Sequence, residues 1–266
     1  MTRFDDSEAA ALWAVAERLA DVAGDAILPY FRSRNLIADN KQISGFDPVT
    51  KADRAAETAM RDVLAKLRPG DGILGEEFGA ITGTSGLTWV LDPIDGTRSF
   101  ISGTPTWGVL IALSDDSGPV LGMIDQPYTS ERFMGGLGRA RWFGPGRDEH
   151  LSTRSTTDLA AATLFSTFPE IGTPNERAAF ERVMNAVNLT RFGCDCYAYA
   201  LLAAGQIDLV IEAGLNPYDV HGPIAVIQAA GGTVTNWEGG PAHEGGTMLA
   251  AANQTLHAQA LGLLRG

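Results

Sequence analysis

A chain of 266 residues, 45% of them hydrophobic, can bury one large core or two smaller lobes. A formal net charge of -12 with only three lysines (Lys41, Lys51, Lys66) excludes nucleic-acid binding through bulk electrostatics and leaves no polybasic membrane patch. No apolar stretch approaches membrane-spanning length, Met1 to Asp6 has no signal-peptide character, and the only cysteines, Cys194 and Cys196, are too close for an unstrained bridge, so a reduced, cytoplasmic protein is expected.

Taken in order, Leu12, Val15, Ala16, Leu19, Val22, Ala23, Ile27 and Tyr30 mark a helical stripe over 6–32, with Asp5-x-x-Glu8 as its capping box. The segment Asn35 to Phe46 is polar, rich in turn formers, and reads as a mobile loop. A second helix is expected from about Thr50 to Leu67, stopped by Pro69-Gly70. The period then changes to that of strands: 73–75, 87–91, 108–113 and 120–124, the last two joined by the hairpin signal Asp115-Asp116-Ser117-Gly118. Strands at 131–134 and 141–143 continue a meander, so a largely antiparallel sheet covered by the first two helices is expected.

After His150 the rhythm alternates. A strand near 164–165 precedes a helix opened by the capping box Thr173-Pro174-Asn175-Glu176. Helix 197–204, strand 207–213, helix 220–230, strands 233–236 and 249–252, and a last helix 254–264 follow. The fold class is layered α/β. The chain reads as one unit, 1–266, with an α+β half (1–147) and a smaller α/β half (148–266).

The stretch Trp89-Val90-Leu91-Asp92-Pro93-Ile94-Asp95-Gly96-Thr97 organises the rest. A buried strand ends on a carboxylate, and Pro93 and Gly96 make a tight turn that projects Asp92 and Asp95 on either side of the Ile94 carbonyl. Thr97 stands where Thr caps a following helix. Two carboxylates and a carbonyl form an all-oxygen set suited to a hard divalent cation, and free N–H groups beside it favour an anion. Glu76 follows a strand in Gly75-Glu76-Glu77, Asp47 and Asp53 open the second helix, and Asp219 precedes another helix. Singly, each acid also reads as a cap, a first-turn acid or a solvated loop. Jointly, carboxylates clustered at one sheet end repel unless a cation neutralises them.

The run Asp92-Pro93-Ile94-Asp95-Gly96-Thr97, with Gly75-Glu76-Glu77, Asp47-x-Val49-Thr50-x-x-Asp53, and Tyr218-Asp219 followed by Ala229-Ala230-Gly231-Gly232, resembles the inositol monophosphatase family over essentially the whole chain. The resemblance implies an α-β-α-β-α phosphatase fold, Mg²⁺ dependence with two or three ions per site, a small phosphomonoester substrate and a homodimer. It implies that Glu76, Asp92, the Ile94 carbonyl, Asp95 and Asp219 ligate metal, and that Asp53 and Thr97, with Glu76, form the catalytic set that orients and deprotonates water. Neither Cys nor His stands at metal spacing, in keeping with Mg²⁺ rather than Zn²⁺. No Gly-x-Ser-x-Gly, P-loop or His-Glu-x-x-His occurs.

Three further stretches look like the histidinol-phosphate phosphatases of this family: Arg98-Ser99-Phe100, Gly122 to Pro127, and Gly193-Cys194-Asp195-Cys196-Tyr197 leading to Glu212 and Tyr218-Asp219. That likeness implies substrate contacts from Asp95, Gly96, Thr97, Arg98, Asp195, Glu212 and Asp219, and hydrolysis of L-histidinol phosphate. Asp195 and Glu212 could bind a cationic amine, or equally serve as an N-cap and a hydroxyl-binding acid. Phe165, Phe168 and Tyr197 could stack on an imidazole but read more simply as core. The alternatives are an inositol-1-phosphate or sugar-phosphate phosphatase and a non-catalytic interaction protein on the same fold. Val220-His221-Gly222-Pro223 departs from the family pattern and leaves the helix after Asp219 in question, and His221 is expected to point away from the site.

Overall fold

Period-two alternation along the strands decides the layering, because it sends successive side chains into different apolar layers. In the computed structural model, which describes residues 4–34, 38–40 and 48–266, the elements run as follows. The first half contains α1 (Asp6–Ile27), the paired strands β1 (Ala38–Asn40) and β2 (Pro48–Thr50), α2 (Lys51–Leu67), β3 (Gly72–Gly75), β4 (Gly79–Ile81), β5 (Thr88–Asp95), α3 (Thr97–Ser102), β6 (Gly108–Asp115), β7 (Gly118–Gln126), β8 (Glu131–Gly136), β9 (Arg139–Gly144) and β10 (Arg147–His150). The second contains β11 (Thr163–Ser166), α4 (Pro174–Met184), β12 (Leu189–Phe192), α5 (Tyr197–Ala203), β13 (Leu209–Leu215), α6 (Pro217–Ala229), β14 (Thr233–Thr235), β15 (Gly246–Ala251) and α7 (Gln254–Arg265).

Strands β10-β9-β8-β7-β6-β5-β3-β4 form an eight-stranded sheet, and β12-β11-β13-β15-β14 a five-stranded one. On the large sheet, Trp89, Leu91, Ile111, Leu113 and Met123 join the apolar layer of α1 and α2, while the alternating Leu110, Ile124 and Phe133 face the middle layer with α5 and α6. On the small sheet, Val210, Met248 and Ala250 face that same middle layer, and Leu209, Ile211 and Leu249 face α4 and α7. The order is therefore α-β-α-β-α, the inositol-monophosphatase-like sandwich expected from the sequence. Both sheets are covered on both faces, which is why their central strands are apolar almost throughout.

The middle layer is thin where α6 crosses the large sheet. A Cβ on Gly122 would lie 2.3 Å from the Gly222 carbonyl oxygen, and one on Gly135 would lie 2.4 Å from Val226 Cα. Only glycine admits that approach. The questioned Gly222-Pro223 segment does not break α6, which runs on to Ala229. His221 points off the site: its ring meets Ser114 Oγ (2.7 Å) and the His243 carbonyl (2.8 Å).

The large sheet is largely antiparallel, as expected, with one parallel pair, β3–β5. Several other expectations need correction. Helix α1 stops at Ile27 rather than 32, because Pro29 offers no N–H and disfavours helix before it. The segment 35–46 is not all loop, since 38–40 pairs with 48–50; residues 35–37 and 41–47, including Asp47, lie outside the described residues. Strands β4, β10 and β12 add to those read from the sequence.

Candidate active site

Along a regular strand Asp92 and Asp95, three residues apart, would point to opposite faces. The pairing of β5 with β6 removes that problem: Asp92 lies opposite Leu110 and Asp95 opposite Gly108, so β5 spends one extra residue there. Such a bulge re-aims side chains. Its place follows from Pro93, which has no N–H for the ladder. Both acids thus reach the same side, and the strand continues through Asp95 where the sequence suggested a turn. The Ile94 N–H donates to Asp92 Oδ1 (3.0 Å). Gly96, with φ 81°, caps α3 in the left-handed conformation, so Thr97 is the first helical residue rather than the cap. Its hydroxyl turns back and donates to the Ile94 carbonyl (3.1 Å).

Two other elements bring acids to this bulge. Parallel pairing sets Gly75 opposite Leu91, which places Glu76 beside Asp92. At the start of α6, Asp219 Oδ2 accepts from the Asn216 N–H (2.7 Å) as one half of a capping box. One oxygen each from Asp92, Asp95 and Asp219 lie within 4.8 Å of one another. Glu76 is not in that closest trio, but its charge acts on both Asp92 and Asp219. Burial, then the charge of Glu76, pushes Asp92 well up; burial, then Asp219, does the same to Asp95. Burial lifts Asp219 to about 7. Like charges held this close out of water are what a divalent cation would neutralise, and every donor is the hard oxygen that Mg²⁺ takes.

Asp53 stands at the opening of α2, 1% exposed. Its Oδ2 accepts from the Thr50 N–H (2.8 Å) and Thr50 hydroxyl (2.6 Å), while Oδ1 is buried with no partner among the described residues. Burial raises it to about 6. Among the described residues Asp53 and Thr97 share no hydrogen bond: Asp53 Oδ2 accepts from Thr50, and the Thr97 hydroxyl donates to the Ile94 carbonyl.

With the layered fold and this acid cluster in place, comparison with known proteins is decisive. The pattern of the inositol monophosphatase family matches residues 8–265. The chain belongs to the inositol monophosphatase family. It is 44% identical over 240 residues to the bifunctional phosphatase IMPL2, chloroplastic, of Arabidopsis thaliana, covering 90% of this chain and 68% of that one. It is 36% identical over 250 residues to a histidinol-phosphatase of Mycobacterium tuberculosis, covering 93% and 95%. Its fold superposes on an inositol monophosphatase from Zymomonas mobilis with a TM-score of 0.83 at 39% identity, covering 95% and 97%.

In this inositol monophosphatase family member the acids open onto a cavity of about 260 Å³ whose walls include Asp95, Thr97, Arg98, Asp195, Glu212 and Asp219. Thus the substrate-side residues singled out in the sequence do converge. Asp195 is not an N-cap: Cys196 holds that place before α5, and Asp195 has φ 44°. Its carboxylate accepts from the Ser99 hydroxyl (2.5 Å) and Thr106 hydroxyl (3.3 Å), and burial raises its pKa. It fills the space a Gly96 side chain would need, 2.8 Å from where a Cβ would sit. Glu212 accepts from the Thr167 N–H (2.6 Å) and hydroxyl (2.8 Å), and burial lifts it to about 7.

Phe168 lies at the rim, exposed, with the Arg98 guanidinium 4.9 Å from its ring centroid. Tyr197 instead donates to Glu131 (2.6 Å), and Phe165 packs on the middle layer, as core residues do. Sequence reasoning missed Cys196, whose N–H donates to Asp95 Oδ2 (2.7 Å), and Tyr199, which lines the cavity. A larger cleft of about 740 Å³ between α1 and the outer strands holds paired charges such as Arg132 with Asp21 and Asp125, and none of these acids. Size does not locate the chemistry here.

Proposed function

We propose that this phosphatase hydrolyses L-histidinol phosphate to L-histidinol and phosphate with Mg²⁺. One observation carries the substrate: two acids, the half-buried Asp195 and the buried Glu212, wall the cavity beside the cluster, which suits a leaving group bearing a cation. The exposed Phe168 ring at the rim is placed to cover an imidazole, and similarity to a histidinol-phosphatase supports the same reading.

In the proposed roles Glu76, Asp92, the Ile94 carbonyl, Asp95 and Asp219 hold two or three Mg²⁺ ions. The carbonyl can do so while accepting from Thr97, having two lone pairs. When bound, Mg²⁺ supplies positive charge that offsets the charge building on the transferring phosphoryl group. Asp53, raised to about 6, is ionised at neutral pH, and its unpartnered Oδ1 takes the proton of the attacking water while Thr50 anchors Oδ2. Thr97, steadied by the Ile94 carbonyl, orients that water together with Glu76. The N–H groups of Gly96 and Thr97, with Arg98, receive phosphate oxygens. Asp195, Glu212 and Asp219 meet the leaving group. The chain acts as one unit on this reading, since acids from both halves line one cavity. Its free cysteines suit a cytoplasmic setting, and the family resemblance supports a homodimer.

A second reading, an inositol-1-phosphate or sugar-phosphate phosphatase, is favoured by the Zymomonas mobilis neighbour and by the ability of Glu212 to accept from a hydroxyl. Phosphate release from L-histidinol phosphate and inositol 1-phosphate, with and without Mg²⁺, decides between them. The proposal expects Mg²⁺-dependent release and a higher kcat/KM for histidinol phosphate; equal values reject it.

A further inference from the structure

Asp195 has a backbone conformation that side chains seldom adopt, with φ 44°, two residues after Gly193 (φ 86°) and just before α5. Left-handed backbone at a non-glycine residue costs free energy, so it persists only where neighbours hold it. Three ties do so here. The next N–H, of Cys196, donates to Asp95 Oδ2 (2.7 Å). The Ser99 hydroxyl, from α3, donates to Asp195 Oδ2 (2.5 Å). The Thr106 hydroxyl, just before β6, has one hydrogen and three acceptors in reach: Ser99 Oγ (3.1 Å), Asp195 Oδ2 (3.3 Å) and the Gly193 carbonyl (3.4 Å). Ser99 Oγ has given its own hydrogen to Asp195 and is free to accept. The shortest arrangement is therefore a chain from Thr106 through Ser99 to the carboxylate. Asp195 Oδ1, by contrast, accepts from no described residue, and it is not sealed from solvent as Asp53 Oδ1 is.

We propose that Ser99 and Thr106 are positioning residues that set leaving-group specificity: their hydroxyls tie down one oxygen of Asp195 and leave the other for an ammonium. Asp195 walls the cavity, so the effect of both hydroxyls passes through its carboxylate. A carboxylate free to turn must be ordered when the ligand binds, whereas a clamped one has met that cost beforehand. The clamp is also selective. An ammonium gains a charge-assisted bond at Oδ1, while a leaving group ending in a methyl leaves that acceptor desolvated and unpaired. This inference rests on the reading of Asp195 as a contact for a cationic leaving group.

The test assays the Mg²⁺-loaded enzyme on L-histidinol phosphate, phosphoethanolamine and propyl phosphate. The last two differ only in that a methyl replaces the ammonium. Ser99→Ala should lower both ammonium-to-propyl ratios of kcat/KM about tenfold, through KM. Thr106→Val, which keeps the shape, should lower them less. Ser99→Thr, which keeps the hydroxyl, should hold them within about twofold of the wild type's. Unchanged ratios in Ser99→Ala, or an equal loss on all three substrates, would show a bond that serves the fold and not selectivity, and would overturn the proposal. A fall in Ser99→Thr as deep as in Ser99→Ala would overturn it too, since the hydroxyl would not be what matters. A wild-type enzyme that does not prefer phosphoethanolamine to propyl phosphate would remove the cationic leaving group, and this proposal with it. A preference that survives Ser99→Ala removes this proposal alone.

Discussion

At the scale of single residues, Asp53 is the sharpest case, because its two oxygens have different fates. Oδ2 belongs to the helix, fixed by the Thr50 N–H and hydroxyl. Oδ1 has no partner among the described residues. A buried carboxylate held by one edge, raised to about 6, has the basicity and the free lone pairs of a general base near neutral pH. Asp53→Asn keeps the shape and an acceptor for Thr50 but removes the basicity. Turnover should fall by about 10²–10⁴-fold, the usual share of general-base catalysis. The melting temperature of the metal-free protein should not drop at neutral pH, because a neutral amide is easier to bury than a carboxylate. Steady-state kinetics beside thermal melts check both halves, and a variant that turns over like the wild type would remove Asp53 from the chemistry.

At the scale of elements, α2 does more than present Asp53. Glu57 and Arg61 follow on the same helical face at spacings of four. Glu57 is fully buried and accepts from the Glu77 N–H (2.7 Å), the Phe78 N–H (3.2 Å) and Arg61 Nε (2.8 Å). Its carboxylate occupies the place of a side chain at position 75, where a Cβ would lie 2.0 Å from it. The helix therefore grips the backbone just after Glu76 and sets that acid beside Asp92. Glu57→Gln keeps one carbonyl oxygen but loses the charge paired with Arg61, so the half-saturating Mg²⁺ concentration should rise about 10–100-fold, as for other groups that support metal ligands. An activity titration with Mg²⁺ measures it, and an unshifted midpoint would show that the loop holds itself. Much at this scale was legible in the sequence. The capping box at Thr173, the N-cap at Asp5, which accepts from the Glu8 N–H, and the alternation of β6 and β7 are local signals, and the helix starts and strands they mark lie within a few residues of expectation. Strands of three or four largely exposed residues, β4 and β10, carry no such pattern. The acids were legible because a motif concentrates them. Thr167 beneath Glu212, Ser99 beside Asp195 and Tyr199 among them all were not, because these neighbours meet across dozens of residues and leave no spacing to read.

At the scale of the whole molecule, the sandwich spends stability to hold its site. Acids from β5, β13, α2 and α6 converge only because both sheets and the middle layer are in place. Without a cation, burial shifts Asp53, Asp92, Asp95, Asp219 and Glu212 toward the protonated form. Asp53 is raised to about 6 and Asp219 and Glu212 to about 7, against roughly 4 for a carboxyl in an unfolded chain. A folded pKa above the unfolded one means the native state binds the proton more tightly. Its contribution to stability is complete below about pH 4 and is lost as the pH rises through about 6 to 7. Mg²⁺ acts with the opposite sign. It binds the deprotonated native site, so its contribution grows as the carboxyls ionise, reaching about 2.7 kcal/mol at a free concentration one hundred times Kd. Melting curves from about pH 4 to about pH 8, with chelator and with Mg²⁺, should therefore diverge as the pH rises. Titrating groups elsewhere contribute equally to both curves, so the gap between them isolates the site. Parallel curves would mean that the acids release their repulsion without the ion, and the reading of the cluster as a metal centre would fall.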